Sequence, residues 1–170
     1  MNPKSVHKLY SYNYWAFERV WNCITQLTDD QFIQPVDYST GPIRNQVVHM
    51  MSATHRWMLR MQRAPMPARL KFDDFMTRAV TKAKWDELRS ETMDYVTSLT
   101  QDQLDEVIRW ELPDRGIVAE NPRWELLLHA ANHGTDHRAQ VLTILNQHFG
   151  IETVEQDMIL FLTEPQQKPV

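Results

Sequence analysis

The chain has 170 residues, of which 42% are hydrophobic and 24% charged, so it can bury a hydrophobic core and is not expected to be disordered. With its histidines neutral it carries a net charge of −4 and no dense stripe of lysine and arginine, so nucleic acid is not an expected partner. Four glycines in all, and apolar residues recurring every three or four positions, favour a single all-α domain over residues 1–170.

The sequence also limits the environment of the protein and the type of metal site that it can hold. No run of 18 apolar residues occurs and the N-terminal segment lacks an apolar signal, so we expect a cytoplasmic protein without a membrane partner. Cys23 is the only cysteine, which excludes an intramolecular disulfide and a cysteine-based zinc cluster. Its helix-like surroundings predict a small buried hydrophobic side chain. Any bound metal must therefore be held by histidine and carboxylate.

Three long helices are predicted in the first 100 residues. Apolar residues recur with helical spacing over residues 4–27, and Pro3 suits the first turn of this helix. The second helix covers residues 43–61 and ends before two prolines, which cannot continue helical hydrogen bonding. Asp73 is predicted to cap a third helix that extends over residues 73–100.

The second part of the chain predicts a small hairpin and a fourth long helix. Residues 107–120 form two short extended runs around a turn rich in proline and glycine. Asn121 as the cap and Pro122 as the first helical residue predict the start of the last helix, which ends at Gly150. The apolar tail over residues 155–162 is expected to pack on the bundle or on a partner. The predicted fold is therefore a four-helix bundle with a hairpin before its last helix.

The chain has seven histidines, and the last predicted helix carries three of them at a repeated spacing of four: His129, His133 and His137. Residues four apart share one helix face, about 5–6 Å apart at Cβ, so His133 and His137 can reach one metal ion. An isolated pair of this kind more often satisfies its polar atoms with hydrogen bonds in a core. A third ligand must come from another helix, and the second helix offers His49 and His55, of which helical periodicity mildly favours His55.

Several segments of the chain resemble the DinB family. They are Asn132-His133-Gly134-Thr135-Asp136-His137-Arg138-Ala139-Gln140 after Trp124 and a leucine-rich run, Ile43-Arg44-Asn45-Gln46-Val47-Val48-His49, Trp57-Met58-Leu59-Arg60 and Asp157-Met158-Ile159-Leu160. The resemblance covers nearly the whole chain. It implies a four-helix bundle with up-down-down-up connections, and it implies that His49, His133 and His137 bind a divalent ion, Zn²⁺ or Ni²⁺, with further positions open to water.

The resemblance therefore selects His49, whereas periodicity mildly favours His55. A helix in a bundle meets two neighbours and buries a wide arc, so His49 can also face the last helix. Ser52 and Ala53 beside it are small and leave space for an ion, whereas His55 is flanked by larger side chains.

Other polar and aromatic residues near the predicted site have open roles. His129 is predicted to be a hydrogen-bonded core or rim histidine rather than a ligand. Asp136 replaces a tyrosine common in the family and either orients a ligand ring or lies in solvent. Arg138 and Gln140 match the family motif and form either a polar seam between helices or contacts with a substrate. Three tryptophans are expected in the core or at a cavity mouth: Trp15, Trp57 and Trp124.

The resemblance favours an enzyme over a structural protein. The wider superfamily that DinB proteins resemble includes transferases and isomerases that use mycothiol or bacillithiol. Metal-dependent thiol transfer on a small molecule, with a low-molecular-weight thiol as cosubstrate, is therefore the leading hypothesis. Metal-dependent hydrolysis is the alternative, although the sequence contains no unmistakable general base.

A third hypothesis is a non-catalytic stress-response protein with a structural metal. Closed structural zinc sites generally have four protein ligands, and the sequence offers three convincing ones, which favours an open site. We also expect a homodimer, because the apolar tail and the resemblance both suggest further burial.

Overall fold

A computed structural model of the chain describes residues 1–164. In chain order its elements are α1 (Pro3–Ile24), α2 (Asp29–Ile33), α3 (Ile43–Met61), α4 (Arg78–Ser98), α5 (Gln101–Asp105), β1 (Val107–Leu112), β2 (Ile117–Pro122), α6 (Arg123–Phe149) and α7 (Met158–Thr163). The predicted helical bundle and its small hairpin are therefore confirmed. The two strands pair antiparallel, with Val107 opposite Pro122 and Leu112 opposite Ile117.

The contacts between α3 and α6 show that these two helices run antiparallel. Near the start of α3, Gln46 contacts His137, which lies in the middle of α6. At the end of α3, the carbonyl oxygen of Met61 accepts a hydrogen bond from Arg123, the first residue of α6. As α3 proceeds towards its C-terminus, its contacts therefore move towards the N-terminus of α6.

Helices α1 and α6 run parallel. The Tyr10 hydroxyl donates to the carbonyl oxygen of Leu127, and further along both helices Asn13 accepts from Arg138. Gly134 lies where these helices approach closely, because a Cβ at this position would lie 3.5 Å from the Asn13 side-chain oxygen and 3.3 Å from the Arg138 guanidinium. Because Gly134 has no side chain, α1 can lie close to the central turn of α6.

Helix α4 packs against α1 and α3 on the side of the bundle away from α6. Arg78 at the start of α4 donates to the Thr25 carbonyl oxygen after α1, and Arg89 further on lies over the ring of Tyr14, so α1 and α4 run antiparallel. Helices α3 and α4 are therefore parallel, and residues 62–77 connect them along the length of the bundle. These directions confirm the up-down-down-up topology.

The predicted start of the third long helix at Asp73 is wrong. Thr77 caps α4 instead, because its hydroxyl accepts a hydrogen bond from a backbone N–H of the first turn. Asp73 lies in a short 3₁₀ turn and forms an ion pair with Arg44. The helix ends at Ser98, and Thr100 caps the separate short helix α5.

The predicted capping role of Asn121 is also wrong. Asn121 pairs with Ile108 in the hairpin, and its side chain accepts from Trp110 and donates to Glu125. Helix α6 begins one residue later than predicted, after Pro122, without a side-chain cap. The amide of Asn121 is therefore used to hold the hairpin against the first turn of α6.

The apolar tail packs on α1. Gly150 ends α6 in the left-handed conformation at a φ of +63°, as predicted. Phe161 of α7 lies 5.9 Å from Tyr12 and 5.7 Å from Trp15 between ring centroids. Ile159 remains 57% exposed, and the homodimer expected from this tail stays a prediction.

The hydrophobic core lies between the four long helices. Its fully buried side chains include Phe17, Ile24, Val47, Met50, Leu127 and Ile144. Cys23 is also buried within this core, as its sequence surroundings predict. Among the helices of residues 1–164, none is both long enough and apolar enough to span a membrane.

Candidate metal centre

The structure brings together the three histidines predicted to bind a metal. One ring nitrogen each of His49, His133 and His137 lies within 4.8 Å of the others. The Nε2 atoms of His49 and His133 are 3.2 Å apart. Two nitrogens bonded to one tetrahedral ion at about 2.0–2.1 Å would lie about 3.3 Å apart, so this spacing fits a shared ion.

Two features of the fold create this cluster. His133 and His137 lie one turn apart on the same face of α6. His49 lies on the antiparallel α3 at the same level, where its ring centroid is 5.1 Å from that of His133 and 4.6 Å from that of His137. The cluster therefore bridges two helices that are close neighbours in the bundle.

Gln46 fixes the orientation of one ring in the cluster. Its side-chain oxygen lies 2.8 Å from Nδ1 of His137 and accepts the Nδ1–H hydrogen, which leaves Nε2 of His137 with a free lone pair. Gln46 is fully buried, and its Nε2 has no partner within residues 1–164. The sequence reasoning missed this residue, although its position three residues before His49 places it on the same helix face.

All three rings are held in the neutral form that can bind a metal. The pKa of His49 falls from 6.5 to about 4, mainly because of burial and then because of His137 and two nearby arginines. The pKa of His133 also falls to about 4, again mainly through burial and then through neighbouring histidines. Burial likewise lowers the pKa of His137. Since a metal ligand must be unprotonated, the environment favours metal over protons at neutral pH.

The other two candidate histidines lie outside the cluster. His55 faces α4, where its ring lies 3.8 Å from Glu91, so the residue that helical periodicity favours does not lie beside His133 and His137. Helix α3 packs against both α4 and α6, so it buries residues on two faces rather than along a single hydrophobic stripe. His129 is exposed and lies one turn before His133, and its ring is roughly perpendicular to that of Trp57, with the ring centroids 4.9 Å apart.

The polar residues around the family motif form contacts between helices. Arg138 is buried and donates hydrogen bonds to the side chains of Asn13, Thr135 and Gln156. Asp136 is exposed and accepts from Gln140, which in turn accepts from Ser39. Arg138 thus belongs to the polar seam between α1, α6 and the segment before α7.

A cavity of about 220 Å³ lies beside the cluster. It is lined by His49, Ser52, Ala53, Arg56, Trp57, Arg60, Arg69, Leu112, Arg115, His129 and His133. The small residues Ser52 and Ala53 leave space next to His49, as predicted. Of the three tryptophans considered for a cavity mouth, Trp57 lines this cavity, whereas Trp15 packs against Phe161. The four arginines were missed by the sequence reasoning.

A second cavity lies inside the bundle, among residues that include Tyr10, Met50, Trp85 and Arg138. Its volume is about 30 Å³, which is room for one or two waters at most. Two larger pockets, of about 440 Å³ and 370 Å³, lie between α4 and its neighbouring helices and touch none of the three clustered histidines. The cavity of about 220 Å³ contacts the cluster through His49 and His133.

Comparison with known proteins agrees with this fold. The sequence model of the DinB family matches residues 1–168. Protein DinB from Bacillus subtilis (strain 168) is 23% identical over 163 residues, which cover 92% of this chain and 94% of that protein. The solved structure of YfiT from Bacillus subtilis superimposes with a TM-score of 0.61 and 18% identity, over 89% of this chain and 91% of YfiT. YfiT is described as a probable metal-dependent hydrolase with an unusual four-helix bundle topology.

Proposed function

The chain belongs to the DinB family, and from this premise we propose that it is a metal-dependent enzyme that acts on a small molecule at His49, His133 and His137. The observation that carries the proposal is the convergence of three neutral imidazoles beside a cavity of about 220 Å³. Structural zinc sites are generally closed by four protein ligands, and the cluster supplies three within residues 1–164.

The proposed metal is Zn²⁺ or Ni²⁺. Imidazole nitrogen suits both ions, and the sole cysteine, Cys23, is buried away from the cluster as a core residue. When bound, such an ion would supply an open position at which a thiol loses its proton outright and water loses its proton near neutral pH.

The reaction that we favour is the transfer of a low-molecular-weight thiol to an electrophilic small molecule. Within residues 1–164 no carboxylate lines the cavity, so the chain offers no acidic side chain there to deprotonate a nucleophile. A thiol needs less assistance than water does, because its ordinary pKa is about 8.5 and nearby cations lower it further. The arginines of the cavity wall supply such cations. Trp57 and Leu112 provide an apolar surface for the remainder of the substrate.

Hydrolysis is the second candidate, and two observations favour it. The description of the structurally similar YfiT names a probable metal-dependent hydrolase. In addition, His129 lines the cavity without belonging to the three-histidine cluster. Burial lowers its pKa, so its ring is neutral at pH 7 and can accept a proton from an attacking water.

The two reactions can be separated with one set of variants. Metal-loaded protein is assayed with an electrophilic substrate plus bacillithiol or mycothiol, and in parallel with chromogenic esters and amides without thiol. Thiol transfer predicts turnover that needs both metal and thiol, is lost in His133→Ala and is retained in His55→Ala. Turnover that needs metal but no thiol, and that falls in a metal-replete His129→Gln variant, would instead establish hydrolysis. Absence of any metal-dependent turnover on both panels would overturn the proposal.

A further inference from the structure

We propose that the substrate carries an anionic group, a carboxylate or a phosphate, which the arginines of the cavity wall bind while its reacting part lies at the three histidines. This inference deepens the proposed function and rests on it for the identity of the reacting site. The binding of the anion itself can be tested without any assay of turnover.

Four arginines reach this one cavity from three different segments of the chain. Arg56 and Arg60 lie one turn apart on α3. Arg69 lies in the connection over residues 62–77, and Arg115 lies at the turn of the hairpin. The arginines are therefore assembled by the tertiary fold, and they line the same cavity as His49 and His133 of the cluster.

Two of these arginines come from loops, and only one of the two is paired with an acid. Arg69 forms an ion pair with the exposed carboxylate of Asp114. Arg115, the next residue along the hairpin turn, forms no ion pair with any residue of the described part of the chain. Of the residues at the hairpin turn, Arg115 thus lines the cavity with a guanidinium that has no carboxylate partner within residues 1–164, whereas Asp114 pairs with Arg69 and does not itself line the cavity.

The two cavity-lining arginines of α3, Arg56 and Arg60, are half-buried, and neither forms an ion pair with a carboxylate of residues 1–164. Arg56 donates to the backbone carbonyl oxygen of Pro67. The Arg60 guanidinium lies 5.0 Å from the centre of the Trp57 ring. Burial lowers the pKa of Arg60, and the charges of Arg56 and Arg69 lower it further, while Glu111 acts in the opposite direction.

The cavity wall therefore carries a concentration of positive charge in a protein whose net charge is −4. Burial is the main cause of the lowered pKa of Arg60, and the charges of Arg56 and Arg69 add a repulsion that a bound anion would relieve. A concave site with one sign of charge concentrates ligands of the opposite sign. Guanidinium groups also match the geometry of carboxylate and phosphate oxygens, with two parallel hydrogen bonds.

The test is isothermal titration calorimetry on the full-length, metal-loaded protein at constant ionic strength. The probes are inorganic phosphate, succinate and uncharged succinamide, so that phosphate, carboxylate and a neutral molecule of similar shape are compared. Arg60→Gln and Arg115→Gln remove lining arginines. Arg109→Gln is the matched control, since Arg109 is exposed on β1 of the same hairpin and does not line the cavity.

The proposal predicts that at least one of the two anions binds and that succinamide does not. Each lining variant should weaken that binding by about fivefold to tenfold, while Arg109→Gln leaves it unchanged. Arg115 lies in an exposed turn, so its variant is expected to fold, and circular dichroism checks this. The inference is overturned if neither anion binds, if succinamide binds equally well, or if both lining variants bind like the wild type, as they would if the metal alone held the anion.

The failure of this inference can be distinguished from failure of the proposed function. Metal content and turnover are measured on the same samples. Arginine-dependent binding of an anion without any bound metal would leave the inference about the cavity in place and refute the metal-dependent enzyme. Metal-dependent turnover without arginine-dependent binding of an anion would leave the metal-dependent enzyme in place and refute the inference about the arginines.

Discussion

The side-chain oxygen of Gln46 lies 2.8 Å from Nδ1 of His137, so a single turn of α3 carries both His49 and the residue that orients a ligand ring of α6. Groups that orient ligand rings in this way typically change metal affinity by about 10–100-fold when removed. We therefore expect Gln46→Ala to weaken metal binding by about this factor, as measured by competition with a chelator. Gln46→Glu retains an acceptor for Nδ1–H and is expected to preserve affinity. Equal affinity in Gln46→Ala and the wild type would exclude this role.

The second prediction separates the two histidines of α3. His49→Ala removes a ring nitrogen that lies 3.2 Å from that of His133, so stoichiometric metal binding should be lost. His55→Ala is the matched control, because His55 faces Glu91 on α4 and lies outside the cluster. Metal content is measured after purification without added metal and after reconstitution. Retention of metal in His49→Ala together with its loss in His55→Ala would show that periodicity identified the correct histidine.

The histidines of α6 could be predicted from the sequence because their relationship is local. His133 and His137 are four residues apart in a helix, and a helix of this length fixes their common face whatever surrounds it. The choice between His49 and His55 cannot be made from the sequence of α3 alone. It depends on which of two neighbouring helices each ring meets, and α3 buries faces against both α4 and α6. The resemblance to the family selected His49, and the structure places that ring in the cluster.

The arginine-lined wall could not be predicted for a similar reason. Arg69 and Arg115 lie in loops separated by the whole of α4, and they meet only because the hairpin folds over the end of α3. The contact between Trp57 and Trp110, with ring centroids 5.3 Å apart, places the hairpin there. Such contacts leave no periodic signal in the chain.

The third prediction concerns the effect of pH on the metal-free protein. The pKa of His133 is 6.5 in the unfolded chain and about 4 in the folded protein, because burial opposes protonation. Between these values the unfolded chain binds more protons than the folded one, so the stability contributed by the neutral ring is complete above pH 6.5 and is lost as the pH falls through 4. Between pH 7 and pH 4.5 the free energy of unfolding of the wild type should fall by about 1–2 kcal/mol more than that of His133→Gln. This difference is smaller than the full effect of the pKa shift, because the ring is half-exposed and solvent screens it.

Urea unfolding of chelator-treated protein at several pH values measures this difference. Other carboxylates and histidines titrate in both proteins, so the comparison with His133→Gln removes their contribution. Parallel stability curves for the two proteins would show that the neutral His133 ring contributes nothing to the pH dependence.

The fourth prediction concerns the ion pair that joins α6 to the chain before the hairpin. Arg123 is buried, and its guanidinium donates to Glu106 at 2.6 Å, to the Gln103 carbonyl oxygen at 2.6 Å and to that of Met61 at 3.2 Å. Arg123→Leu removes a buried donor from the two carbonyl oxygens and leaves Glu106 paired with Arg63 alone, so it should lower the free energy of unfolding by about 2–3 kcal/mol. Arg109→Leu, on an exposed strand position, should change it by at most about 0.5 kcal/mol. Similar unfolding midpoints in urea for both variants would contradict the prediction.

The proposed enzyme depends on one metal ion bound by His49, His133 and His137. The most direct test is anomalous X-ray scattering from crystals of wild-type protein purified without added metal, with data collected on both sides of the zinc and nickel absorption edges. We expect one anomalous peak per chain, at about 2.0–2.1 Å from one ring nitrogen of each of the three histidines. Absence of a peak between these rings after reconstitution with zinc and with nickel, or a peak at other residues only, would contradict it.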